Sequence, residues 1–273
     1  MRGEFLDVAG SRLYYYAAGS RGAGEPIMLL HGFPTSGHLW ADVVPALPAG
    51  HRVVVLDLLG YGRSDPARPG QSSIHSHADR VVAVADQLGI ERACLVGHGI
   101  GGGVAQAVAI RFPNRVSHLC LVGSVMLSDW PTRRAKFFRA LAHVGPVVPA
   151  SWTVGALRAE LVRGYVDHER GEHDLDLFLR PFTGPAGRDA LLNYLRAVTS
   201  GATRDLSVQL SDTKVPTAVV WGADDPILPL DYGRALAASI PGSTLDVIDG
   251  ARHFLPTEAS FGVAHTIATL LAR

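Results

Sequence analysis

The stretch Leu95-Val96-Gly97-His98-Gly99-Ile100-Gly101-Gly102-Gly103 constrains this chain more than any other. The apolar run 93–96 reads as a buried strand and the run from Ile100 onward as a helix, with only three residues between them. Such a turn lifts its central side chain above the carboxyl end of a parallel sheet. It tolerates little bulk at its flanks, which suits Gly97 and Gly101, and the glycines at 101–103 let helix and strand approach closely. At the centre stands Gly99, which has no side chain to lift.

Around this turn the chain alternates strand and helix. Residues 5–8 and 13–17, separated by Gly10-Ser11, read as an antiparallel hairpin at a sheet edge. The apolar runs 26–30, 52–56, 116–122 and 217–221 suit strands buried on both faces, and 243–248 completes an expected sheet of eight. Helical spacing marks 72–88, stopped by Gly89, then 100–112, 230–240 and a last helix ending at Leu271, with a weaker one at 40–47. This pattern implies an α/β fold, a mostly parallel eight-stranded sheet with helices on both faces. Between 125 and 212 no buried strand appears, so residues 1–124 and 213–273 are expected to form the core. Residues 125–212 are then a helical lid inserted after the sixth strand.

Composition narrows the partners. Formal charge is zero, so nothing marks a nucleic-acid or acidic-membrane surface, and the apolar runs are far below the roughly 20 residues of a spanning helix. With no leader-like start the expected compartment is the cytoplasm. Cys94 and Cys120 fall in strand-like runs and read as buried free thiols. Oligomeric state is open.

Four further segments fall at carboxyl ends of strands, where ligands bind in open α/β sheets. They are His31-Gly32-Phe33-Pro34, the glycine-punctuated 57–65 (D-x-x-G-x-G-x-S-D), Gly222-x-x-Asp225-x-x-x-Pro229, and Gly250-x-x-His253 with Glu258 following. Together with the central turn they resemble the α/β-hydrolase superfamily over nearly the whole chain. In that resemblance 97–101 is the nucleophile elbow, 31–34 the oxyanion loop, 222–229 the acid loop and 250–253 the histidine loop. It implies a cofactor-independent, metal-independent enzyme acting on a small, fairly apolar molecule. His253 is then the general base and Asp225, preferred over neighbouring Asp224, fixes its tautomer. The amides of Phe33 and Ile100 would form the oxyanion hole, which needs no particular side chain. His31, Trp130, Trp152, Tyr165 and Tyr194 are candidate substrate-contacting residues, with Tyr165 a possible lone acid. Asp57, Arg63 and Asp65 are expected to brace their loop, and His98 to point away from the site.

The flanks of Gly99 look most like the G-H-D-x-G-G branch of epoxide hydrolases and haloalkane dehalogenases, with the serine form second. Two departures stand out. Ile100 occupies the place of a halide-binding tryptophan. In Asn193-Tyr194-Leu195-Arg196, leucine stands at the place of an acid tyrosine, with Tyr194 one step earlier and so about 100° around a helix. Gly99 cannot form a covalent intermediate. Three readings follow: an enzyme acting through the His253-Asp225 dyad without covalent attack, by hydrolysis or a lyase-like or cyclising reaction; a nucleophile-inactivated variant; or a ligand-binding pseudoenzyme. Ser124 is the nearest substitute nucleophile, off the elbow.

Overall fold

The computed structural model describes residues 3–19, 24–125, 136, 140, 142, 150–197 and 204–273. Its eight-stranded sheet has the order β1-β2-β4-β3-β5-β6-β7-β8. The strands are β1 (Glu4–Val8), β2 (Ser11–Ala18), β3 (Ile27–Leu30), β4 (Val53–Leu56), β5 (Ala93–His98), β6 (Val116–Val122), β7 (Thr217–Gly222) and β8 (Thr244–Ile248). The hairpin β1–β2 pairs antiparallel, β2 joins β4 antiparallel, and every other neighbour is parallel. β3 and β4 are buried at every position, as strands covered on both faces must be, and this accounts for their unbroken apolar runs.

β3 and β5 are neighbours, yet the chain leaves β3 toward β4 on one side and leaves β5 toward β6 on the other. Their carboxyl ends therefore open a crevice at a switch point, the ordinary place for a ligand in such sheets. Helix α2 (Ile100–Arg111) leaves β5 through Gly99. A Cβ at Gly97 would overlap the backbone of Gly101, and one at Gly101 would overlap the carbonyls of Leu30 and His31. These glycines are the condition for the helix to start where it does.

Helix α1 (Ile74–Gln87) is capped by Ser73, whose hydroxyl accepts from the Ser76 amide at 3.1 Å, and it ends before Gly89 at φ +65°. Between β6 and β7 the described residues form α3 (Ala150–Leu161), α4 (His168–Leu179), α5 (Gly184–Ala197) and α6 (Arg204–Gln209). The chain then closes with α7 (Leu230–Ser239), α8 (Leu255–Glu258) and α9 (Ser260–Leu271). Two expected helices differ in detail. The segment 40–47 is replaced by two 3-10 turns, Gly37–Trp40 and Val44–Ala46, the second containing Pro45, which has no amide hydrogen to continue a ladder. The last helix is broken at Ala259, whose φ of −130° lies outside the helical range. No helix of the described residues is long and apolar enough to cross a membrane.

Candidate active site

Gly99 has φ +54° and ψ −121°, a combination that side-chain-bearing residues rarely adopt. A Cβ built there would meet only the Cα of Gly32, at 3.5 Å, an ordinary contact, so the elbow holds its sharp turn and leaves room above it. The amide of Ile100, at the first position of α2, has no intrahelical partner by helix geometry, and that of Phe33 donates to no described residue. One amide belongs to the loop after β3 and the other to the helix after β5, the two neighbouring strands that flank the switch point. The positive end of the α2 dipole adds to their field.

His253 Nδ1 and Asp225 Oδ2 lie 2.7 Å apart, and both side chains are buried. The other carboxylate oxygen of Asp225 accepts from the amides of Ile227 at 2.8 Å and Leu228 at 2.9 Å, so the acid is held by its own loop while turned to the imidazole. Asp224 is exposed and contributes its amide to the Ala251 carbonyl at 3.1 Å. Gly222 permits this close approach of the acid and histidine loops, since a Cβ there would lie 2.5 Å from the Ala251 carbonyl oxygen. With a carboxylate at Nδ1, the imidazole carries its proton there and presents Nε2 as the basic atom.

His98 does not point away. Its ring is fully buried, with its centroid 4.8 Å from that of His253, and Nε2 donates to the His253 carbonyl at 3.0 Å. The histidine loop folds over the sheet face from which His98 projects, and strand alternation alone could not reveal that cover. A carbonyl can only accept, so Nε2 carries a proton. Burial, and then the neighbouring His253 charge, hold its pKa well below the ordinary value. The sequence places His98 beside the turn but carries no sign of the loop that covers it.

The substrate-contact candidates divide. His31 accepts from the Leu58 amide through Nε2 at 3.0 Å and donates from Nδ1 to the Gly32 carbonyl at 2.8 Å. Both ring nitrogens are used in bracing two loops, and burial lowers its pKa. Phe33 is half-buried, with its ring 6.4 Å from Tyr61 and 6.5 Å from Tyr194. Tyr194, on α5, donates its hydroxyl to the Leu59 carbonyl at 2.6 Å and holds its ring 4.5 Å from that of Tyr61 at a tilt of 36°, a bolt between insertion and core. Its hydroxyl proton is committed to that carbonyl, and burial raises its pKa. Tyr165 is fully buried, stacks on Phe254 at 4.2 Å, and has its hydroxyl near Asp174 and Thr257. Trp152 is 72% exposed on the first turn of α3, while its neighbour Thr153 turns inward, so the structure does not bring it to the dyad. Trp130 lies outside the described residues. The loop-bracing residues behave as side-chain chemistry suggests: Asp57 accepts from the amides of Gly37 at 2.6 Å and Arg63 at 2.8 Å, and Asp65 pairs with Arg12. Ser124 is fully buried, accepts from Gln106 Nε2 at 3.0 Å and donates to the Val125 carbonyl, with its hydroxyl packed against Gly102 on the far side of the elbow.

The insertion is stitched to the histidine loop. Glu258 accepts from the amides of Val166 at 2.7 Å and Asp167 at 2.8 Å, Arg252 donates to the Tyr165 carbonyl at 2.9 Å, and the Phe254 amide donates to the Gly164 carbonyl at 3.2 Å.

Residues 25–150 match the family described as alpha/beta hydrolase fold. A 2-hydroxy-6-oxononadienedioate/2-hydroxy-6-oxononatrienedioate hydrolase of Burkholderia vietnamiensis is 31% identical over 259 residues, covering 90% of this chain and 86% of that protein. Among solved structures, an alpha/beta hydrolase fold protein from Burkholderia ambifaria superposes with a TM-score of 0.87 at 25% identity, covering 99% of this chain and 97% of that one. The enol-lactonase from Burkholderia xenovorans superposes at 0.83 and 25% identity, covering 99% and 100%.

Proposed function

This chain belongs to the α/β-hydrolase family, and from that premise we propose that it is a cofactor-independent enzyme that activates water directly with His253, without a covalent intermediate. The carrying observation is the buried 2.7 Å contact of His253 and Asp225 beside an elbow whose central residue has no side chain and whose Cβ position is open. A water in the space above Gly99 would give its proton to His253 Nε2 as its oxygen bonds to a substrate carbonyl carbon. The developing oxyanion would be held by the amides of Phe33 and Ile100, and the imidazolium by Asp225. Collapse of the adduct breaks the bond to the leaving group, which takes the proton back from His253.

The hydrolase and enol-lactonase names among the relatives favour a small carbonyl compound, a lactone or an activated ester or ketone, over an epoxide or haloalkane. The oxyanion hole also suits carbonyl chemistry, while no side chain at position 99 can displace at carbon. In this reading residues 125–212 form the lid over the site and substrate enters beside Phe33.

The test compares the native chain with His253→Ala, Gly99→Ser and Gly99→Asp on lactone, p-nitrophenyl ester, epoxide and haloalkane panels. Turnover by the native chain that His253→Ala abolishes supports direct hydration. A silent native chain in which Gly99→Ser or Gly99→Asp gains turnover would replace this reading with that of an inactivated hydrolase. Ligand binding indifferent to His253, with no turnover in any form, would make it a binding protein.

A further inference from the structure

A second cleft, of about 450 Å³, opens between the core and the helical insertion. Its volume is in the range of small-molecule sites, and neither the dyad, nor Gly99, nor the Phe33 and Ile100 amides line it. The core supplies Arg63, His38 and the phenol rings of Tyr14 and Tyr16; the insertion supplies Arg180 with the apolar Leu177 and Pro181.

The charges in this cleft are unbalanced. Four arginines of the insertion each have an acid: Arg158 has Glu172 and Asp176, Arg163 has Glu160, Arg170 has Asp42 and Asp174, and Arg188 has Asp189. The Arg180 guanidinium has no hydrogen bond or ion pair with any described residue. Among the described residues the Arg63 guanidinium has no acid, donating instead to the Tyr14 hydroxyl at 2.8 Å and lying 4.8 Å from that ring's centroid. The floor carries one carboxylate, Asp57, but it is buried and its two oxygens are already engaged by the amides of Gly37 and Arg63. Two guanidiniums therefore face one internally satisfied acid, and the cleft carries net positive charge before His38 is counted. Tyr16, whose pKa is raised first by burial and then by Asp57, stays a neutral hydroxyl and adds no countercharge.

A guanidinium is a planar fork whose geometry matches a carboxylate, and one grip from each side of a cleft fixes such a group firmly. The aromatic and aliphatic walls suit an apolar body attached to it. We propose that this cleft is a binding site for a small carboxylate with an apolar body, gripped by Arg63 from the core and Arg180 from the insertion. The ligand would tie the two parts of the molecule together at a point removed from the dyad. The wall of the cleft at Ser36–His38 continues directly from the oxyanion loop, since the Thr35 amide and hydroxyl both bond to the Gly32 carbonyl, at 3.0 and 2.9 Å.

The experiment titrates benzoate into the full chain by calorimetry, with benzamide as the neutral isostere. Saturable benzoate binding is expected, weakened about tenfold or more in Arg180→Gln, because loss of one charge-assisted contact is of that order. Arg63→Gln should weaken it similarly, benzamide should bind at least tenfold more weakly, and His253→Ala should leave the benzoate affinity unchanged. Arg180 has no described side-chain partner to lose, so its variant decides the matter even if Arg63→Gln folds poorly, as circular dichroism would report. Unchanged affinity in Arg180→Gln, equal binding of benzamide, loss of binding in His253→Ala, or no saturable binding would each overturn the proposal.

Discussion

Placing a Cβ on Gly99 separates backbone strain from crowding, and the structure sets its magnitude. The built Cβ meets only Gly32 Cα at 3.5 Å, so no neighbour must move. The whole cost of Gly99→Ala is then that of holding an L-residue at φ +54°, ψ −121°, about 1–3 kcal/mol. For a domain of this size that corresponds to a fall in Tm of roughly 2–12 °C. Gly101→Ala is the informative contrast. It lies in the first turn of α2, where alanine is intrinsically favoured over glycine by about 1 kcal/mol, and its φ is not in the left-handed region. Its Cβ, however, would overlap the backbone carbonyls of Leu30 and His31, which cannot rotate away as a side chain could. Gly101→Ala should therefore be the more damaging of the two, costing several kcal/mol or failing to fold. Thermal and urea unfolding of both variants tests the ranking. A Gly99→Ala protein less stable than Gly101→Ala, or one as stable as the parent, would refute the account of the elbow as a strained but roomy turn.

Three other outcomes are expected. Asp225→Asn should keep the fold but lower kcat by about 10²–10⁴ with little change in KM, since the amide no longer holds the tautomer or stabilises the imidazolium; steady-state kinetics on whichever panel substrate is turned over reads this. His77 is buried and its pKa is lowered to about 3, by burial first and then by the Arg80 charge, so folded and unfolded chains bind it alike above pH 6.5. Between pH 6.5 and about 3 only the unfolded chain takes up this proton, so stability should fall by about 1.4 kcal/mol per pH unit from this group alone, a slope that His77→Gln should flatten in urea midpoints measured against pH. Tyr194→Phe removes the donor from the buried Leu59 carbonyl and should cost about 1–3 kcal/mol, read by urea unfolding, with loss of less than about 0.3 kcal/mol refuting the bolt.

Much of this was legible in the chain because it depends on local chemistry. The runs 27–30, 53–56 and 119–122 are continuous and apolar because their strands are covered on both faces there. Glycines 97, 99 and 101 mark a turn that only glycine-rich sequence can make so tightly. The dyad was reachable because its two residues each sit three positions after a glycine, Gly222 at the end of β7 and Gly250 just past β8. What stayed hidden depends on covering by distant segments. The face that His98 presents is closed by residues 155 positions away, and the strand period carries no trace of that. Tyr165 and Tyr194 could be placed on the insertion but not aimed, since one turns behind Phe254 and the other down to Leu59. The break at Ala259 follows no glycine or proline at that position.

The room kept above Gly99 has a meaning on the timescale of descent. Any glycine codon ending in a pyrimidine becomes serine, aspartate or cysteine by a single base change, and none of these side chains would have to displace a neighbour's backbone at its Cβ. A chain with this elbow and such a codon therefore stands one mutational step from a covalent mechanism. The barrier to that step is the strain of one residue rather than the redesign of a site.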